Sequence, residues 1–224
     1  MVQVSLIITA AGKGTRFGAT NKLFLNLKGK PLIIRTCEHF LKLPFFNEAL
    51  ITIAEDEKKE LETLLKKYAL NSFFKVIIGG LTRQESVKLA IEALKPVEKV
   101  FIHDGARPNI SSALIKKLYE SCQTCQAVIP GVMATDTIKL ADDLGFVEKT
   151  LDRKKLFQIQ TPQVFDYVLL KNIYQKTEKA IFNNITDEAT LFEFFQIPIK
   201  IIPGERTNLK LTYPEDLIVL ERFF

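Results

Sequence analysis

Short apolar runs rich in β-branched residues alternate with longer segments of helical period over about the first 130 residues. This alternation is typical of repeated βαβ units, and it predicts an α/β fold with a Rossmann-like, mainly parallel sheet flanked by helices. The predicted strands are VSLIITA (4–10), ALITIA (49–54), FFKVIIG (73–79), KVFIHD (99–104) and QAVIPG (126–131). The predicted helices cover residues 31–42, 56–69, 82–95 and 111–124.

Two helix starts carry a chemical signature. Thr82 and Glu85 form a Thr-x-x-Glu capping box, in which each side chain satisfies a backbone N–H group of the first turn. Thr212 and Glu215 have the same spacing, with Pro214 in the first turn. We therefore predict helices that begin directly after Thr82 and Thr212.

The pattern changes after residue 131. The segment TDTIKLADDLGFVEKTLD has two alternating stretches around the turn residues Asp142, Asp143 and Gly145, which predicts a hairpin arm at about residues 134–153. No repeat or linker divides the chain, so we expect residues 1–224 to form a single domain with an inserted arm. A projecting hairpin exposes strand edges and apolar surface, and we therefore expect a homodimer formed through the arm.

The composition fits a compact enzyme with small anionic substrates. A chain of 224 residues with 47% hydrophobic content can bury a sizeable core. The net charge of +5 is spread along the chain, whereas a nucleic-acid partner would call for a dense basic stripe with interleaved aromatics. No apolar run approaches the roughly eighteen residues of a membrane span, and the N-terminus lacks the features of a secretory signal. We expect a cytoplasmic protein with neither a membrane nor a nucleic-acid partner.

The three cysteines agree with a reducing compartment. Cys37, Cys122 and Cys125 are too few and odd in number for a disulfide framework. Cys122 and Cys125 form a Cys-x-x-Cys motif without a second ligand pair, and His39 and His103 do not supply metal-ligand spacing. The motif is therefore interpreted as a structural feature.

A glycine-rich segment, AAGKGTRF (10–17), directly follows the first predicted strand, where parallel sheets bind ligands. Gly12 and Gly14 let backbone amides approach an anion, and Arg16 and Lys22 can neutralise a polyphosphate. The segment lacks the Gly-Lys-Ser/Thr of a Walker loop and the third glycine of a dinucleotide fingerprint. We predict a nucleoside triphosphate here, although on these residues alone an ordinary βα turn stays open.

Eight motifs in order give a more specific signal. They are AAGKGTR with Lys22, GGLTRQESV, FIHDGARP, DTIK, LDR, QTPQVF, TDEA and NLKLTYPEDL. From about residue 5 to about residue 220 they resemble the motifs of the 2-C-methyl-D-erythritol 4-phosphate cytidylyltransferase family, and the ribitol 5-phosphate cytidylyltransferases share several of them. The resemblance implies CTP, a divalent cation, usually Mg2+, and release of pyrophosphate. The product would be a CDP-linked methylerythritol of the non-mevalonate route to isoprenoids.

The resemblance also implies the site residues. The catalytic cations are Arg16 and Lys22 on the triphosphate, and Lys210 and Arg153 on the attacking phosphate. The implied nucleotide-binding residues are Ala10, Ala11, Gly12, Gly14, Gly80, Arg83, Ser86 and Gly105. The implied acceptor-binding residues are Asp104, Arg107, Thr137, Arg153, Thr161 and Lys210, with Thr137 and Arg153 reaching the acceptor bound in the partner subunit. The protein ligands of the metal stay open, because Asp104 could bind a sugar hydroxyl, order metal-bound water, or do both.

Three positions depart from the family pattern. Leu81 stands where the family often carries aspartate, so that only a backbone contact is expected there. Gly105 replaces the usual alanine, which affects backbone stiffness more than chemistry. Asn21 replaces the usual proline before Lys22, and we expect a more mobile loop but a retained activity.

Three further residues near the motifs are interpreted mainly as structural. His103 alternates away from Asp104 along its strand and is expected to be a packed strand residue. Asp187 and Glu188 could orient the cations or cap a helix, and the structural role is favoured.

Two alternatives to the methylerythritol enzyme remain. One is the same chemistry on ribitol 5-phosphate or another polyol phosphate. Gly105 and Ala106 argue against it, because a bulkier residue is expected beside the arginine in the ribitol enzymes. The other is a nucleotide-binding dimer module without catalysis. The retained charged residues argue against that module: Arg16, Lys22, Asp104, Arg153 and Lys210.

Overall fold

Strands and helices alternate as the apolar pattern predicts in a computed structural model of the chain, which describes residues 2–12, 21–182 and 185–224. The strands are β1 (Val4–Thr9), β2 (Asn26–Leu27), β3 (Lys30–Pro31), β4 (Phe46–Ile53), β5 (Phe74–Ile78), β6 (Lys99–Asp104), β7 (Ala127–Met133), β8 (Lys139–Ala141), β9 (Val147–Thr150), β10 (Phe157–Ile159), β11 (Gln163–Asp166) and β12 (Lys200–Pro203). The α-helices are α1 (Leu32–Leu41), α2 (Lys58–Lys67), α3 (Arg83–Ala93), α4 (Ser112–Cys122), α5 (Tyr167–Lys176), α6 (Lys179–Phe182), α7 (Glu188–Phe194) and α8 (Pro214–Leu220). Short 3-10 turns lie at Lys22–Phe24, Glu55–Glu57, Arg153–Lys155 and Glu221–Phe223.

The main sheet has eight strands in the order β10-β7-β11-β6-β1-β4-β5, with β12 paired to β7. Strands β5, β4, β1 and β6 are mutually parallel, and β12 is parallel to β7. Strand β11 runs antiparallel between β6 and β7, and β10 runs antiparallel to β7. The predicted mainly parallel α/β fold is confirmed. Strands β10, β11 and β12 escape the sequence analysis because runs of three or four residues are too short to show a period.

Strand β1 lies inside the sheet between β6 and β4, and its side chains contribute to both halves of the core. Its side chains alternate, so that Leu6 and Ile8 pack into one cluster and Ile7 into the other. Helix α1 covers the first face, and α3 contributes to the second. A strand buried on both faces reads as a continuous apolar run, as this one does.

The predicted elements agree with the observed ones within two residues at most ends. Strand β4 is the exception, because it begins at Phe46, three residues before the predicted start at 49. Asn47 and Glu48 interrupt the apolar run there, but Phe46 is buried and pairs with Val4. The Asn47 side-chain oxygen accepts a hydrogen bond from the Val4 N–H at 3.0 Å, which makes the polar residue compatible with the strand.

The two predicted capping boxes have different outcomes. The box of Thr82 and Glu85 is present with both of its reciprocal hydrogen bonds. The pairing of Thr212 with Glu215 is wrong, because the Asp216 carboxylate accepts the N–H groups of Thr212 at 2.7 Å and of Tyr213 at 2.8 Å. The helix therefore starts one residue later than the Thr-x-x-Glu spacing indicates, at Pro214.

The predicted hairpin arm is confirmed as strands β8 and β9. Gly145 adopts a positive φ of 85° in its turn, a conformation that favours glycine. Asp142 Oδ1 closes the turn by accepting the N–H groups of Leu144 and Phe146. Every residue of β8 and β9 is exposed in the single chain. Within the described ranges, none of the helices has the length and apolar character that crossing a bilayer requires.

Candidate active site

A cleft of about 680 Å³, the first cleft, opens where parallel strands end. It is lined by residues 9–12 after β1, 54–56 after β4, 78–83 after β5, and the end of β6 at Asp104. Lys22 and Lys210 complete it. The carboxyl ends of neighbouring parallel strands meet at one edge, which is where such sheets bind ligands. The structure therefore brings the predicted Ala10, Ala11 and Gly12 to one cleft with both lysines.

The turn between β5 and α3 is tightly built. A Cβ on Gly80 would lie 2.3 Å from Glu85 Cβ, and one on Gly79 would lie 2.5 Å from Ala11 Cβ, so neither position accepts a side chain without displacement. Ser86 Oγ accepts the Gly80 N–H at 3.1 Å and donates to the Thr82 carbonyl at 2.9 Å. Ser86 thus lines the cleft and fixes the turn, and its predicted nucleotide contact stays a prediction.

Asp104 lies at the centre of a cluster of cations. Its Oδ2 lies 2.9 Å from Lys210 Nζ and 3.4 Å from Arg107 Nε, and its Oδ1 lies 3.7 Å from Arg83 Nε. Burial alone would raise the pKa of the Asp104 carboxyl, but Lys210, Arg83 and Arg107 hold this pKa well below its usual range. Asp104 is therefore ionised at neutral pH and keeps three cationic side chains converged on one point.

Arg83 is held from behind by a buried carboxylate. Glu188, which is fully buried, receives Arg83 Nη1 at 2.7 Å and Nη2 at 2.9 Å. The Tyr174 hydroxyl donates to the same carboxylate at 3.2 Å. Burial opposes the charge on Arg83, but Glu188 and Asp104 raise its pKa above the ordinary value. Both terminal nitrogens of Arg83 are therefore occupied, and its Nε faces Asp104.

The two carboxylates of the TDEA motif have different partners. Asp187 caps α7 by accepting the Thr190 N–H at 3.0 Å, as the favoured structural role predicts. Glu188 orients Arg83, which is not one of the four catalytic cations for which an orienting role was predicted.

Lys22 and the segment that carries Lys210 are in contact. Lys22 Nζ donates to the carbonyl oxygen of Leu211, directly after Lys210. The Asn21 side chain caps the turn that carries Lys22 by accepting the Leu23 N–H at 3.0 Å, and it also donates to Glu57. Asn21 thus supplies contacts that proline in that position would not.

A second cleft of about 380 Å³ adjoins the first. The two share Arg83, Asp104 and Lys210, so these residues form the boundary between them. Apart from Ile159, the rest of the second cleft is lined by polar residues, which include Arg107, Thr161 and carboxylate and hydroxyl groups at residues 186–193. The predicted acceptor residues Asp104, Arg107, Thr161 and Lys210 therefore line a single cavity.

His103 has polar partners that the expectation of a packed strand residue does not include. The residue is fully buried, and its ring packs edge-on against Phe40 at 5.0 Å. Its Nδ1 lies 3.0 Å from Thr161 Oγ1, and its Nε2 lies 3.1 Å from the Arg107 carbonyl oxygen. Burial lowers the pKa of His103 to about 3 despite the nearby Asp104 carboxylate. The imidazole is therefore neutral and hydrogen-bonded through both nitrogens.

Three predicted site residues are not among the described residues that line either cleft. Gly14 and Arg16 fall outside the described residues. Gly105 is not among the described residues that line either cleft, and the missing Cβ makes room for Ile33 and the Thr9 carbonyl, each of which would lie 3.1 Å from it. Gly105 thus has a packing role, and its predicted nucleotide contact stays a prediction.

Thr137 and Arg153 are both exposed near the arm, outside the described lining of the two clefts. Arg153 Nη1 donates to the Thr135 carbonyl at 2.6 Å and so ties the two ends of the arm together. Their predicted action on a partner subunit's acceptor stays a prediction.

Some site residues are missed by the sequence analysis. Tyr174 lies in an ordinary amphipathic helix, and nothing local marks it as the partner of Glu188. Gln160 and Asn208 join the loops around the second cleft, with Asn208 Nδ2 donating to the Thr161 carbonyl at 2.9 Å. Their positions beside Thr161 and Lys210 in the motifs QTPQVF and NLKLTYPEDL were the available signal.

A glycine-bordered cleft at the ends of parallel strands, joined to a second cleft through a carboxylate and converging cations, can hold a nucleotide beside a second anionic substrate, as a nucleotidyltransferase requires. A family profile described as 2-C-methyl-D-erythritol 4-phosphate cytidylyltransferase matches residues 4–224. The chain belongs to this family.

Individual relatives agree with that assignment. The chain is 36% identical over 219 residues to the 2-C-methyl-D-erythritol 4-phosphate cytidylyltransferase of Dehalococcoides mccartyi, covering 98% of this chain and 95% of the relative. It is 39% identical over 216 residues to the enzyme of the same name from Geobacillus thermodenitrificans, covering 96% and 94%. The crystal structure of 4-diphosphocytidyl-2C-methyl-D-erythritol synthase from Anaerococcus prevotii is similar with a TM-score of 0.86 and 32% identity, covering 98% of this chain and 97% of that one.

Proposed function

We propose that the protein transfers the cytidylyl group of CTP to 2-C-methyl-D-erythritol 4-phosphate. The products are pyrophosphate and 4-diphosphocytidyl-2-C-methyl-D-erythritol of the non-mevalonate route to isoprenoids. Membership of the family supports this reaction. One observation carries it for this chain: the two clefts meet at Asp104 and Lys210, whose charged atoms lie 2.9 Å apart. A nucleotide in one cleft and a phosphate monoester in the other would share this lysine.

The turn after β5 supports cytosine as the base. Four successive N–H groups are already engaged: Gly79 with the Ile53 carbonyl, Gly80 with Ser86, and Leu81 and Thr82 with the Glu85 carboxylate. The backbone of this turn therefore offers carbonyl acceptors to a ligand. Cytosine presents an amino donor at the ring position where uracil presents an oxygen. An acceptor-lined turn thus favours CTP over UTP.

The same hydrogen bonds limit which backbone atom of Leu81 can contact a base. Its N–H group donates to Glu85 Oε2 at 2.8 Å, so only its carbonyl is left for a base. Its side chain is fully exposed at the rim of the first cleft.

The chemical step needs positioning and charge more than a protein nucleophile. A phosphate oxygen of the acceptor attacks the α-phosphorus of CTP, a new P–O bond forms, and the bond to the β-phosphate breaks as pyrophosphate leaves. Lys22, and Arg16 by family resemblance, would stabilise charge on the triphosphate. Lys210 would hold the attacking phosphate beside it. Asp104, which also pairs with Arg107, keeps that lysine at the boundary between the clefts.

The second cleft suits a polyol. Asp187, Thr190 and Glu193 line the cleft with carboxylate and hydroxyl oxygens, to which ligand hydroxyl groups can donate. Arg107 and Lys210 place positive charge at the end nearest the first cleft. A phosphate at that end with hydroxyl groups beyond it matches this division of charge.

The arm supports a homodimer that completes the site. Leu144, Phe146 and Val147 are largely exposed on the arm, with 83%, 71% and 59% of their surface accessible. Exposed apolar side chains on a projecting hairpin indicate a protein interface. A partner's arm would bring its own copies of Arg153 and Thr137 to the acceptor phosphate. This arrangement explains why these residues lie away from the clefts of their own chain.

A divalent cation, Mg2+ by family resemblance, fits the site as an ion carried by the nucleotide. Among the described residues no group of three or more His, Cys, Asp or Glu side chains could hold a metal. Mg2+ commonly takes one or two carboxylates and completes its shell with phosphate oxygens and water. Asp104 would hold it, directly or through water. When bound, the ion would neutralise charge on the triphosphate.

We also propose that residues 1–224 form one domain and that the protein acts in the cytoplasm. A shared sheet whose two faces carry the core supports a single domain. Three free cysteines, two of them buried, suit a reducing compartment.

A pyrophosphate-release assay tests the proposal. Purified protein is incubated with CTP or UTP, MgCl2 and each of two acceptors, 2-C-methyl-D-erythritol 4-phosphate and ribitol 5-phosphate. We expect turnover with CTP and the first acceptor, and a strongly reduced rate in Lys22→Ala. Turnover with ribitol 5-phosphate alone would establish the alternative acceptor. CTP binding by calorimetry without turnover on either acceptor would indicate a binding module.

A further inference from the structure

A buried chain of hydrogen bonds runs behind the second cleft. The Asp104 N–H donates to Thr161 Oγ1 at 3.0 Å, and Thr161 Oγ1 lies 3.0 Å from His103 Nδ1. His103 Nε2 lies 3.1 Å from the Arg107 carbonyl oxygen. The chain thus links the end of β6, the QTP turn and the turn that carries Arg107, and all four of its residues are buried.

The direction of each hydrogen bond follows from its partners. A carbonyl oxygen only accepts, so His103 Nε2 carries the proton that is donated to Arg107. A fully buried imidazole whose two nitrogens contact a hydroxyl group and a carbonyl oxygen is neutral, so with its proton on Nε2 its Nδ1 accepts a hydrogen bond from the Thr161 hydroxyl. The Thr161 hydroxyl therefore donates its single hydrogen to His103 Nδ1. One of its lone pairs receives the Asp104 N–H, and the other is left for a ligand in the second cleft.

We propose that His103 is a positioning residue for the acceptor: its Nδ1 holds the Thr161 hydroxyl so that Oγ1 faces the second cleft as a hydrogen-bond acceptor only. Thr161 then receives a hydroxyl group of the acceptor and does not donate to its phosphate. This inference rests on the proposed function for the identity of the acceptor. It assigns the hydroxyl-bearing part of that molecule to Thr161, and it leaves the phosphate to the cations Lys210 and Arg107.

The same contacts show how this role differs from a structural one. If His103 only packed the strand, its loss would lower the stability of the protein and would change the KM values for CTP and for the acceptor to the same extent. If it orients Thr161, the bond at Nδ1 matters for the acceptor, and the bond at Nε2 matters for the Arg107 turn. The two nitrogens are distinguishable because asparagine places an amide atom near the Nδ1 position and glutamine places one near Nε2.

A pair of matched variants tests the proposal. His103→Asn keeps an acceptor for the Thr161 hydroxyl, whereas His103→Gln keeps only the contact to the Arg107 carbonyl. We expect the acceptor KM to rise about fivefold to tenfold in His103→Gln, and to return most of the way to the wild-type value in His103→Asn. The KM for CTP should change little in either variant. Equal rises of the acceptor KM in the two variants, or none in His103→Gln, would overturn the proposal.

A double-mutant cycle locates the effect. Thr161→Val removes the hydroxyl and should itself raise the acceptor KM. Adding His103→Gln to Thr161→Val should then give no further rise, because the group through which His103 acts is gone. Independent rises that multiply would contradict the proposed route.

A measurement on the wild-type protein needs no variant to fold. The chain has two histidines, so the imidazole nitrogens of His103 can be assigned in 15N-labelled protein. We expect a neutral ring with its proton on Nε2 at about pH 7. A ring protonated on Nδ1 would overturn the inference. Failure of the proposed function is seen separately, as absent turnover of 2-C-methyl-D-erythritol 4-phosphate by the wild type.

Discussion

Lys210 Nζ lies 2.9 Å from Oδ2 of Asp104, on the boundary between the two clefts. The same oxygen faces Arg107 Nε at 3.4 Å, so the carboxylate keeps a partner when Lys210 turns towards a phosphate. The Lys210 side chain is 41% exposed, whereas that of Arg107 is 11% exposed. Asp104 thus stays paired with the buried Arg107, while the more exposed Lys210 can turn towards a ligand.

Removing this lysine is expected to slow the reaction strongly. We expect Lys210→Met to lower kcat about 100-fold or more, because the attacking phosphate loses the charge that places it beside the α-phosphorus. Steady-state kinetics with both substrates at saturation measures the effect. Lys200→Met, which changes an exposed lysine on β12, is the matched control and should retain the wild-type rate. A wild-type rate in Lys210→Met would exclude the role assigned to it.

The buried pair of Arg83 and Glu188 is expected to dominate local stability. Glu188→Gln removes the nearer of the two buried carboxylates that pair with the Arg83 guanidinium, and we expect the free energy of unfolding to fall by about 3 kcal/mol. Urea denaturation monitored by circular dichroism measures the loss. Glu193→Gln, on the same helix but exposed, should change the free energy of unfolding by less than about 0.5 kcal/mol. Equal stability of the two variants would show that the buried pair is not important.

Two glycines of the first cleft are expected to respond differently to alanine. In Gly80→Ala the new Cβ would collide with Glu85, so the capping box must shift and stability should fall by about 1–3 kcal/mol. In Gly12→Ala the Cβ meets no described atom within 4 Å, so we expect stability to be retained. A nucleotide against the Gly12 backbone would nevertheless be displaced, and the CTP KM should rise about tenfold. Thermal melts and CTP kinetics separate the two effects, and an unchanged CTP KM in Gly12→Ala would contradict nucleotide binding there.

The acid limit of stability should depend on Asp104. Its pKa is lower in the folded state than in the unfolded chain, so its stabilising contribution is complete above the unfolded-state value of about 3.9 and is lost as the pH falls towards the folded-state value. We expect Asp104→Asn to be less stable than the wild type by about 3 kcal/mol at pH 7, because buried cations lose their partner. The gap should narrow as the pH falls from about 5 to about 3. Denaturation series at several pH values measure it, and a constant gap would show that Asp104 does not titrate as argued.

The arm is expected to control assembly and activity together. Phe146→Asp introduces a charge at an exposed apolar position, and we expect it to shift the protein from dimer to monomer in light scattering. The acceptor KM should rise at least about tenfold, since the proposed contact between the partner's Arg153 and the phosphate would be lost. Val168→Asp, at an exposed apolar position on α5, is the control and should stay dimeric and active. A fully active monomer would refute the shared site.

Local patterns in the sequence anticipated the parallel half of the fold well. Strand β6 begins and ends as predicted, because its apolar run stops at Asp104 and the chain then enters a turn that contains Gly105. The capping box of Thr82 is likewise a signal within four residues. Strand β11 could not be predicted in the same way, because its place between β6 and β7 depends on pairing with distant strands.

The site shows the same limit at the level of side chains. The motifs placed Asp104, Lys22 and Lys210 in one cleft, although these residues are far apart in sequence. The motifs did not give the pairing of Arg83 with Glu188, which spans 105 positions, or that of His103 with Thr161, which spans 58. Hydrogen-bond partners over such separations depend on the packed structure, and no periodicity encodes them.

Strands β7 and β10 pair from Gly131 to Met133 and from Phe157 to Ile159, so the chain leaves and rejoins the sheet at one rung of the ladder. The intervening arm is therefore a closed excursion that does not set the register of the strands that carry the site. Replacing residues 135–155 by a short turn would therefore leave the strands that line the two clefts in their present register. Such a shortened protein would show whether the clefts keep their nucleotide affinity without the arm.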